Sequence, residues 1–173
     1  MGTQGPPYRS CASAGGRCWA VNPRWPAAPA WTRRGAWDTL GVMYAHVQLG
    51  ARDIDLMTRF YDKVLIELGI VRVTPLDRIG PAGVIWRKLP SRWPQFVINE
   101  PLNRERASVG NGSQVSFLAP SLSAVDAAWR AALSMGATDC GPPGLRSRYA
   151  PDFYAAYCLD PEGHKLCVVH TSD

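Results

Sequence analysis

Three polar side chains that could do chemistry lie in or beside short predicted strands. His46 offers a nitrogen donor, Gln114 offers an amide, and Cys167 offers a thiol whose thiolate would bind soft metals. In the segments around His46 and Gln114, apolar residues fall on every second position. Alternation of this kind predicts β-strands with one apolar and one polar face, so these side chains are candidates for lining a binding site.

The two alternating segments open stretches of chain with the same predicted order of elements: one strand, one helix and three short strands. The predicted strands lie at 44–49, 70–74, 83–88, 95–99, 113–117, 137–139, 153–159 and 165–170. The first helix is capped by Asp53 and ends at Gly69, and the second is capped by Ser121 or Ser123 and ends at Gly136. The chain is therefore expected to contain two similar units.

Matching landmarks in the two stretches keep a nearly constant spacing. Gln114 follows His46 by 68 residues, and the helix-ending glycines are 67 apart, which indicates an internal repeat. The repeat predicts an α+β fold of two βαβββ modules, about 43–108 and 109–173, with paired curled mixed sheets around a central cup. With each helix on the outer face of its own sheet, the cup would be lined by Tyr44, His46, Gln114 and Cys167.

Charge is distributed unevenly along the chain. The formal net charge is +5, but residues 1–42 hold five arginines and one acid, so residues 43–173, with 14 basic and 13 acidic residues, carry only +1. Binding to the phosphate backbone of a nucleic acid requires clustered Lys and Arg. The nearly neutral main part of the chain argues against nucleic acid as a partner.

Cysteine usage and hydropathy indicate the compartment. The five cysteines include no CxxC pair, so neither a zinc knuckle nor a complete disulfide framework is indicated, and a reducing cytoplasm is the simplest setting. No apolar run approaches the roughly 18 residues of a membrane helix. The N-terminus also lacks the apolar core of a secretory signal. A cytoplasmic protein with no membrane partner is expected.

Residues 1–42 differ in composition from the rest of the chain. They hold four of the seven tryptophans and five of the fifteen prolines, without a helical or strand period. Such a segment is predicted to be a disordered or loosely ordered extension. One interpretation is that Met43 is the natural start and the upstream stretch is mis-called; the other is a targeting peptide or a partner-binding arm.

Four short motifs carry a resemblance to a known family. HVQLG at 46–50, FYD at 60–62, GNG at 110–112 and DPEGHKL at 160–166 occur in this order. Together they resemble the vicinal-oxygen-chelate superfamily, which includes glyoxalases, bleomycin-resistance proteins and extradiol dioxygenases. The resemblance covers Met43 to His170 and implies the glyoxalase-like fold.

The resemblance also implies where metal ligands would lie. Members commonly place up to four ligands in the cup, typically His or Gln, Glu, His and Glu, and the matching positions here are His46, Val97, Gln114 and Cys167. His46 and Gln114 could coordinate Zn, Ni, Mn or Fe. Val97 has no donor atom, and Cys167 replaces a carboxylate. The positions therefore imply a degenerate or absent metal site.

Three functions follow from the resemblance. The first is binding of a small molecule in the cup, as in resistance-type members. The second is a metal-dependent lyase of the lactoylglutathione type or a related dioxygenase, against which Val97 and Cys167 count, because the family's metal ligands and proton-moving glutamate are missing. The third is a scaffold whose cup is filled by aromatic side chains.

The resemblance also implies an oligomeric state. Relatives usually form homodimers, so a homodimer is expected.

Each further candidate has a structural alternative. Cys167 is interpreted as a ligand contact or as a small buried residue. Trp86, Tyr154 and Tyr157 could stack against a flat ligand or belong to the core. In a predicted loop at 141–149, Arg146, Arg148 and Tyr149 could close over a polar or anionic ligand or be solvated. The remaining histidines, His164 and His170, are expected at the surface or a sheet edge.

Overall fold

A computed structural model describes residues 43–75 and 82–172. The strands are β1 (His46–Gly50), β2 (Val71–Pro75), β3 (Gly83–Arg87), β4 (Gln95–Asn99), β5 (Val115–Leu118), β6 (Thr138–Leu145), β7 (Tyr154–Leu159) and β8 (Lys165–His170), and the helices are α1 (Ile54–Leu65) and α2 (Leu122–Ser134). This order confirms the predicted pair of βαβββ modules. The extension predicted for residues 1–42 lies outside the described residues.

The ends of both helices follow from local sequence. The Asp53 side chain accepts a hydrogen bond of 2.8 Å from the amide of Leu56 and begins α1. After α1, a 3-10 turn ends at Gly69, whose φ of 71° is the left-handed conformation that glycine adopts without strain. For α2, Ser121 is the cap, since its Oγ accepts a 3.2 Å bond from Ala124 N.

Neither described helix is long and apolar enough to cross a membrane.

The strands form two mixed sheets of four strands each. Their orders are β1-β4-β3-β2 and β5-β8-β7-β6. In each sheet the first strand of the module pairs in parallel with the last, and the remaining pairs are antiparallel. The two modules thus share one topology, as the repeat predicts.

One apolar core joins the modules. It contains the buried residues of both helices and one face of each sheet. The rings of Phe96 on β4 and Phe117 on β5 meet at 5.2 Å between centroids, nearly at right angles. Because these residues face the helices, the opposite face of each sheet is the one available to a ligand.

The turn between β7 and β8 ties the second module to α1. The Glu162 carboxylate accepts hydrogen bonds of 2.7 to 2.9 Å from the backbone amides of Arg52 and Asp53, and the Arg52 side chain lies 3.2 Å from it. Asp160 accepts a 2.7 Å bond from the buried hydroxyl of Tyr61. This turn therefore satisfies donors at the N-terminus of α1.

His164, in the same turn, is buried rather than at the surface as predicted. The residue is 8% exposed, and its Nε2 lies 2.9 Å from the carbonyl oxygen of Gly50 on β1. The reason is that the turn packs against the first module, which local sequence does not indicate. His170 Nδ1 lies 3.0 Å from the carbonyl oxygen of Ala119.

Strand β6 is longer than predicted. It includes residues 141–145, which the sequence places in a loop. The register of β6 on β7 shifts on both sides of Gly141, and β6 lies at the edge of its sheet. An edge strand with bulges accepts Pro142 and Pro143, because neither needs to donate to a second neighbour.

Candidate ligand-binding face

A row of four residues crosses the second sheet on the side opposite α2. Gly141 on β6 pairs with Tyr157 on β7, Tyr157 pairs with Cys167 on β8, and Cys167 pairs with Ser116 on β5. Paired residues point to the same side of a sheet, so the side chains of Tyr157, Cys167 and Ser116 share one surface, which Gly141 continues. We call this surface the Cys167 face.

Cys167 lies at the centre of the face and is 1% exposed. Burial raises the pKa of its thiol above the usual range, although hydrogen bonds with Ser116 and Tyr157 lower the pKa. The loss of hydration is the larger effect, because a buried thiolate is costly. Cys167 is therefore a neutral thiol near pH 7, packed in a small cluster with Ala155 and Val169.

Tyr157 is half-buried beside Cys167 and has two cations near its ring. The Arg146 Cζ and the Lys165 Nζ each lie 5.7 Å from the ring centroid. Burial is also the main cause that raises the pKa of the Tyr157 hydroxyl. The phenol is therefore protonated and can donate a hydrogen bond.

Arg146 is held in place by the backbone of β6. Its Nη2 donates to the Pro142 carbonyl at 2.7 Å, and its Nη1 donates to the Leu145 carbonyl at 3.3 Å. The guanidinium lies close to Gly144, since a Cβ at Gly144 would come within 2.8 Å of Nη1. The absence of a side chain at Gly144 thus leaves the room that this cation uses.

Gln114 is exposed and precedes β5 by one residue. Its Nε2 donates to the Ser116 hydroxyl at 3.1 Å. The amide therefore lies beside the Cys167 face and adds a neutral donor and acceptor to it.

His46 lies on the other sheet. It is exposed at the start of β1 and pairs in register with Gln95, while Val97 pairs with Gln48. These residues alternate with the helix-facing Val47 and so lie on the side of the first sheet opposite the core.

Four other predicted site residues are not part of the row that defines the Cys167 face. Trp86 is fully buried against α1, with its Nε1 donating to Asp62 at 2.9 Å, so the prediction that it stacks against a ligand is corrected. Tyr44 is 64% exposed and precedes β1. Arg148 is exposed in the turn after β6. Tyr154 packs against the core and donates to Asp126 at 2.9 Å.

The donors at the family's ligand positions do not fit a divalent metal ion. Val97 has no donor atom, Cys167 retains its proton, and the Gln114 amide is bonded to Ser116. His46 is the one strong nitrogen donor in this set. Among the described residues, no three His, Cys, Asp or Glu side chains come together as a metal site.

The faces of both sheets opposite the core are neutral to basic. By strand register, no residue on these faces of β1, β3, β4, β5, β7 and β8 is Asp or Glu. The residues at these positions are His46, Gln48, Gly50, Gly83, Ile85, Arg87, Gln95, Val97, Asn99, Ser116, Leu118, Ala155, Tyr157, Leu159, Lys165, Cys167 and Val169. A carboxylate that could hold a cation or take a proton is thus missing from these strand positions.

Sequence reasoning did not single out Ser116 or Lys165, and it treated Arg146 as one of several loop residues. Ser116 could have been found, because it shares strand parity with Gln114. Lys165 shares parity with Cys167 in the same way. The position of Arg146 depends on the bulged pairing of β6 with β7, for which the sequence gives no local signal.

A family model agrees with this architecture. The model described as the Glyoxalase/Bleomycin resistance protein/Dioxygenase superfamily matches residues 44–168. No curated protein matches the chain. This match covers both modules and all strands of the Cys167 face except the last residues of β8.

Solved structures share the fold. The chain is similar to a glyoxalase/bleomycin resistance protein from Albidiferax ferrireducens T118, with 33% identity, a TM-score of 0.65, and coverage of 76% of this chain and 100% of that chain. It also resembles a glyoxalase/bleomycin resistance protein/dioxygenase family enzyme from Burkholderia phytofirmans PsJN, with 20% identity, a TM-score of 0.54, and coverage of 74% and 98%. TioX from Micromonospora sp. ML1 has 17% identity, a TM-score of 0.50, and coverage of 73% and 97%.

Proposed function

The chain belongs to the glyoxalase/bleomycin resistance protein/dioxygenase superfamily, and we propose that it binds a small organic molecule on the Cys167 face without a divalent metal ion. The observation that carries this proposal is the row of Ser116, Cys167 and Tyr157, bordered by Gln114 and Arg146. It combines an apolar strip with a few convergent polar groups, the usual composition of small-molecule sites.

The chemistry of this face favours binding over proton transfer. A glyoxalase-type lyase requires a metal to polarise the substrate and a carboxylate to move the proton. The thiol of Cys167 and the phenol of Tyr157 both hold their protons near pH 7, so neither can act as that base. Sequestration of a ligand needs no such group.

We also propose that two copies of the chain form a homodimer. Leu118, on the Cys167 face, is 69% exposed, and Leu145 at the end of β6 is 60% exposed. Tyr149, in the following turn, is 64% exposed. Exposed apolar side chains near a binding face favour a protein partner, and a second copy is the partner that the family suggests.

Thermal melting in EDTA with a broad panel of small organic molecules tests the binding proposal. A ligand of the native state at 100 times its Kd should add about 2.7 kcal/mol of stability. The rise in Tm should be saturable, lost in Ser116→Phe, which places a ring over the row, and retained in Ser134→Phe, a control on the exposed side of α2.

Two outcomes would contradict the proposal. If no member of the panel raises the Tm, a scaffold with no ligand is favoured. Thioester formation from methylglyoxal and glutathione that requires added Ni or Zn and vanishes in His46→Ala would instead establish the lyase.

A further inference from the structure

We propose that the ligand of the Cys167 face is an organic anion with a flat apolar part, whose charged group is bound by Arg146 and Lys165 beside the Tyr157 ring. This inference rests on the proposed function and names its ligand class. It follows from how charge is arranged on the second sheet.

Two like charges lie near one aromatic ring. Arg146 and Lys165 each lie 5.7 Å from the centroid of Tyr157. The salt bridges within residues 43–75 and 82–172 are Arg52 with Glu162 and Arg72 with Asp62, so neither cation has a carboxylate partner there. Since like charges repel and the positions of this face on β5, β7 and β8 hold no acid, an anion near both cations lowers the electrostatic energy.

The Arg146 guanidinium is oriented before any ligand binds. Its bonds to the carbonyls of Pro142 and Leu145 use only part of its donor capacity, since a guanidinium has five N–H groups. The remaining donors can bind an oxyanion, and a fixed side chain loses less entropy on binding than a free one. The room for this arrangement comes from Gly144.

The strand positions beside the cations are apolar and covered by neighbouring atoms. Ala155, Cys167 and Val169 are at most 4% exposed and pack with Tyr157. Since these three side chains are covered, the half-buried Tyr157 ring is the apolar surface that a planar group could contact, and a carboxylate on that group would lie near both cations. Stacking on tyrosine adds to the attraction of the charges.

Calorimetric binding of 2-naphthoate and of its neutral analogue 2-naphthamide tests the inference. The naphthoate should bind at least about tenfold more tightly at low salt, which is the effect of one charge-assisted hydrogen bond, and added salt should reduce the difference. Arg146→Met and Lys165→Met should each weaken naphthoate binding about tenfold and leave naphthamide binding nearly unchanged. Arg130→Met, on the exposed side of α2, is the control and should change neither.

Gly144→Ala tests the position of Arg146 without removing its charge. The new methyl group would lie 2.8 Å from Nη1, so the guanidinium must move while the fold remains. We expect weaker naphthoate binding with an unchanged Tm. Unchanged naphthoate affinity in this variant and in Arg146→Met would overturn the role of Arg146.

The results separate this inference from the proposed function. Equal affinity for naphthamide and naphthoate overturns the anion inference but leaves binding on the Cys167 face intact. Binding of neither probe, with a Ser116→Phe-sensitive response to other panel members, also overturns the inference alone. The anion inference and the proposed function are both overturned if no panel member stabilises the protein.

Discussion

Cys167 illustrates how burial decides what a side chain can do. A cysteine at a family ligand position suggests a soft metal ligand or a nucleophile, and both roles require the thiolate. At 1% exposure, loss of hydration raises the pKa of Cys167 despite the nearby cations Lys165 and Arg146. The residue therefore acts as a small apolar contact that carries a weak donor.

Alkylation rates test this assignment. The exposed Cys140 should react with iodoacetamide at pH 8 much faster than Cys158 or Cys167, because burial raises the pKa of Cys158 to about 12 and also raises that of Cys167. Peptide mapping by mass spectrometry after timed alkylation measures the three rates separately. Rapid modification of Cys167 in the folded protein would contradict a neutral, buried thiol.

Glu162 is a second residue whose importance depends on its surroundings. Its side chain is 5% exposed, and its carboxylate accepts from the backbone amides of Arg52 and Asp53. Glu162→Gln should lower the free energy of unfolding by about 1 to 3 kcal/mol, because an amide cannot accept all of these hydrogen bonds as well. Urea unfolding measures the loss, and the exposed Glu105→Gln serves as the control. Equal stability of the two variants would show that Glu162 does not tie the modules together.

At the scale of elements, the turn from Asp160 to Gly163 couples β7 and β8 to α1. Burial is the main cause that raises the pKa of Asp160 above its ordinary 3.8, while hydrogen bonds from Tyr61 and from the His164 amide lower it. The folded state thus holds this proton more tightly than the unfolded state. Its contribution to stability is fully present below pH 3.8 and is lost as pH rises through the folded pKa.

Asp160→Asn should remove the contribution of Asp160 to the pH dependence of the free energy of unfolding. The variant keeps an oxygen for the turn amides and has no carboxyl proton to lose, so its stability relative to the wild type should increase as pH rises from about 3.8. Urea unfolding between pH 3.5 and pH 7 measures the two curves. Parallel curves would mean that Asp160 titrates alike in the folded and unfolded states.

Local sequence predicted most elements but not their packing. The Asp53 cap and the glycines that end both helices are short-range features, and β4 and β8 have the predicted bounds. Strand β3 is apolar on both faces, so alternation could not tell that Trp86 faces α1. The full length of β6 could not be predicted either, because β6 contains two prolines and depends on pairing with β7 to form a strand.

At the scale of the whole molecule, the repeat preserved topology more than chemistry. His46 and Gln114 lie at equivalent positions on different sheets, and the candidate site on the second sheet also depends on Arg146, whose placement comes from a bulged edge strand. The sequence could therefore predict the modules and part of the Cys167 face. The orientation of Arg146 required the folded arrangement of β6 and β7.

The proposed homodimer can be tested with two exposed leucines. Leu118 lies on the Cys167 face at 69% exposure, and Leu122 lies at the start of α2 at 50% exposure. Leu118→Glu should convert a dimer to a monomer, whereas Leu122→Glu should leave the mass unchanged, because only the first places a charge in the proposed interface. Light scattering with size-exclusion chromatography measures the mass. A monomeric wild type would contradict the proposal.

The central claim is that this family member binds its ligand without a metal ion, and the most direct test is to measure ligand affinity and metal content on the same sample before and after chelation. For a ligand identified by the thermal panel, we predict an unchanged Kd by calorimetry and less than about 0.1 metal ion per chain by elemental analysis, because the donor set carries no carboxylate and its thiol stays protonated. A stoichiometric metal ion, with a Kd that rises about tenfold on chelation and recovers with one equivalent of Zn, Ni, Mn or Fe, would contradict it.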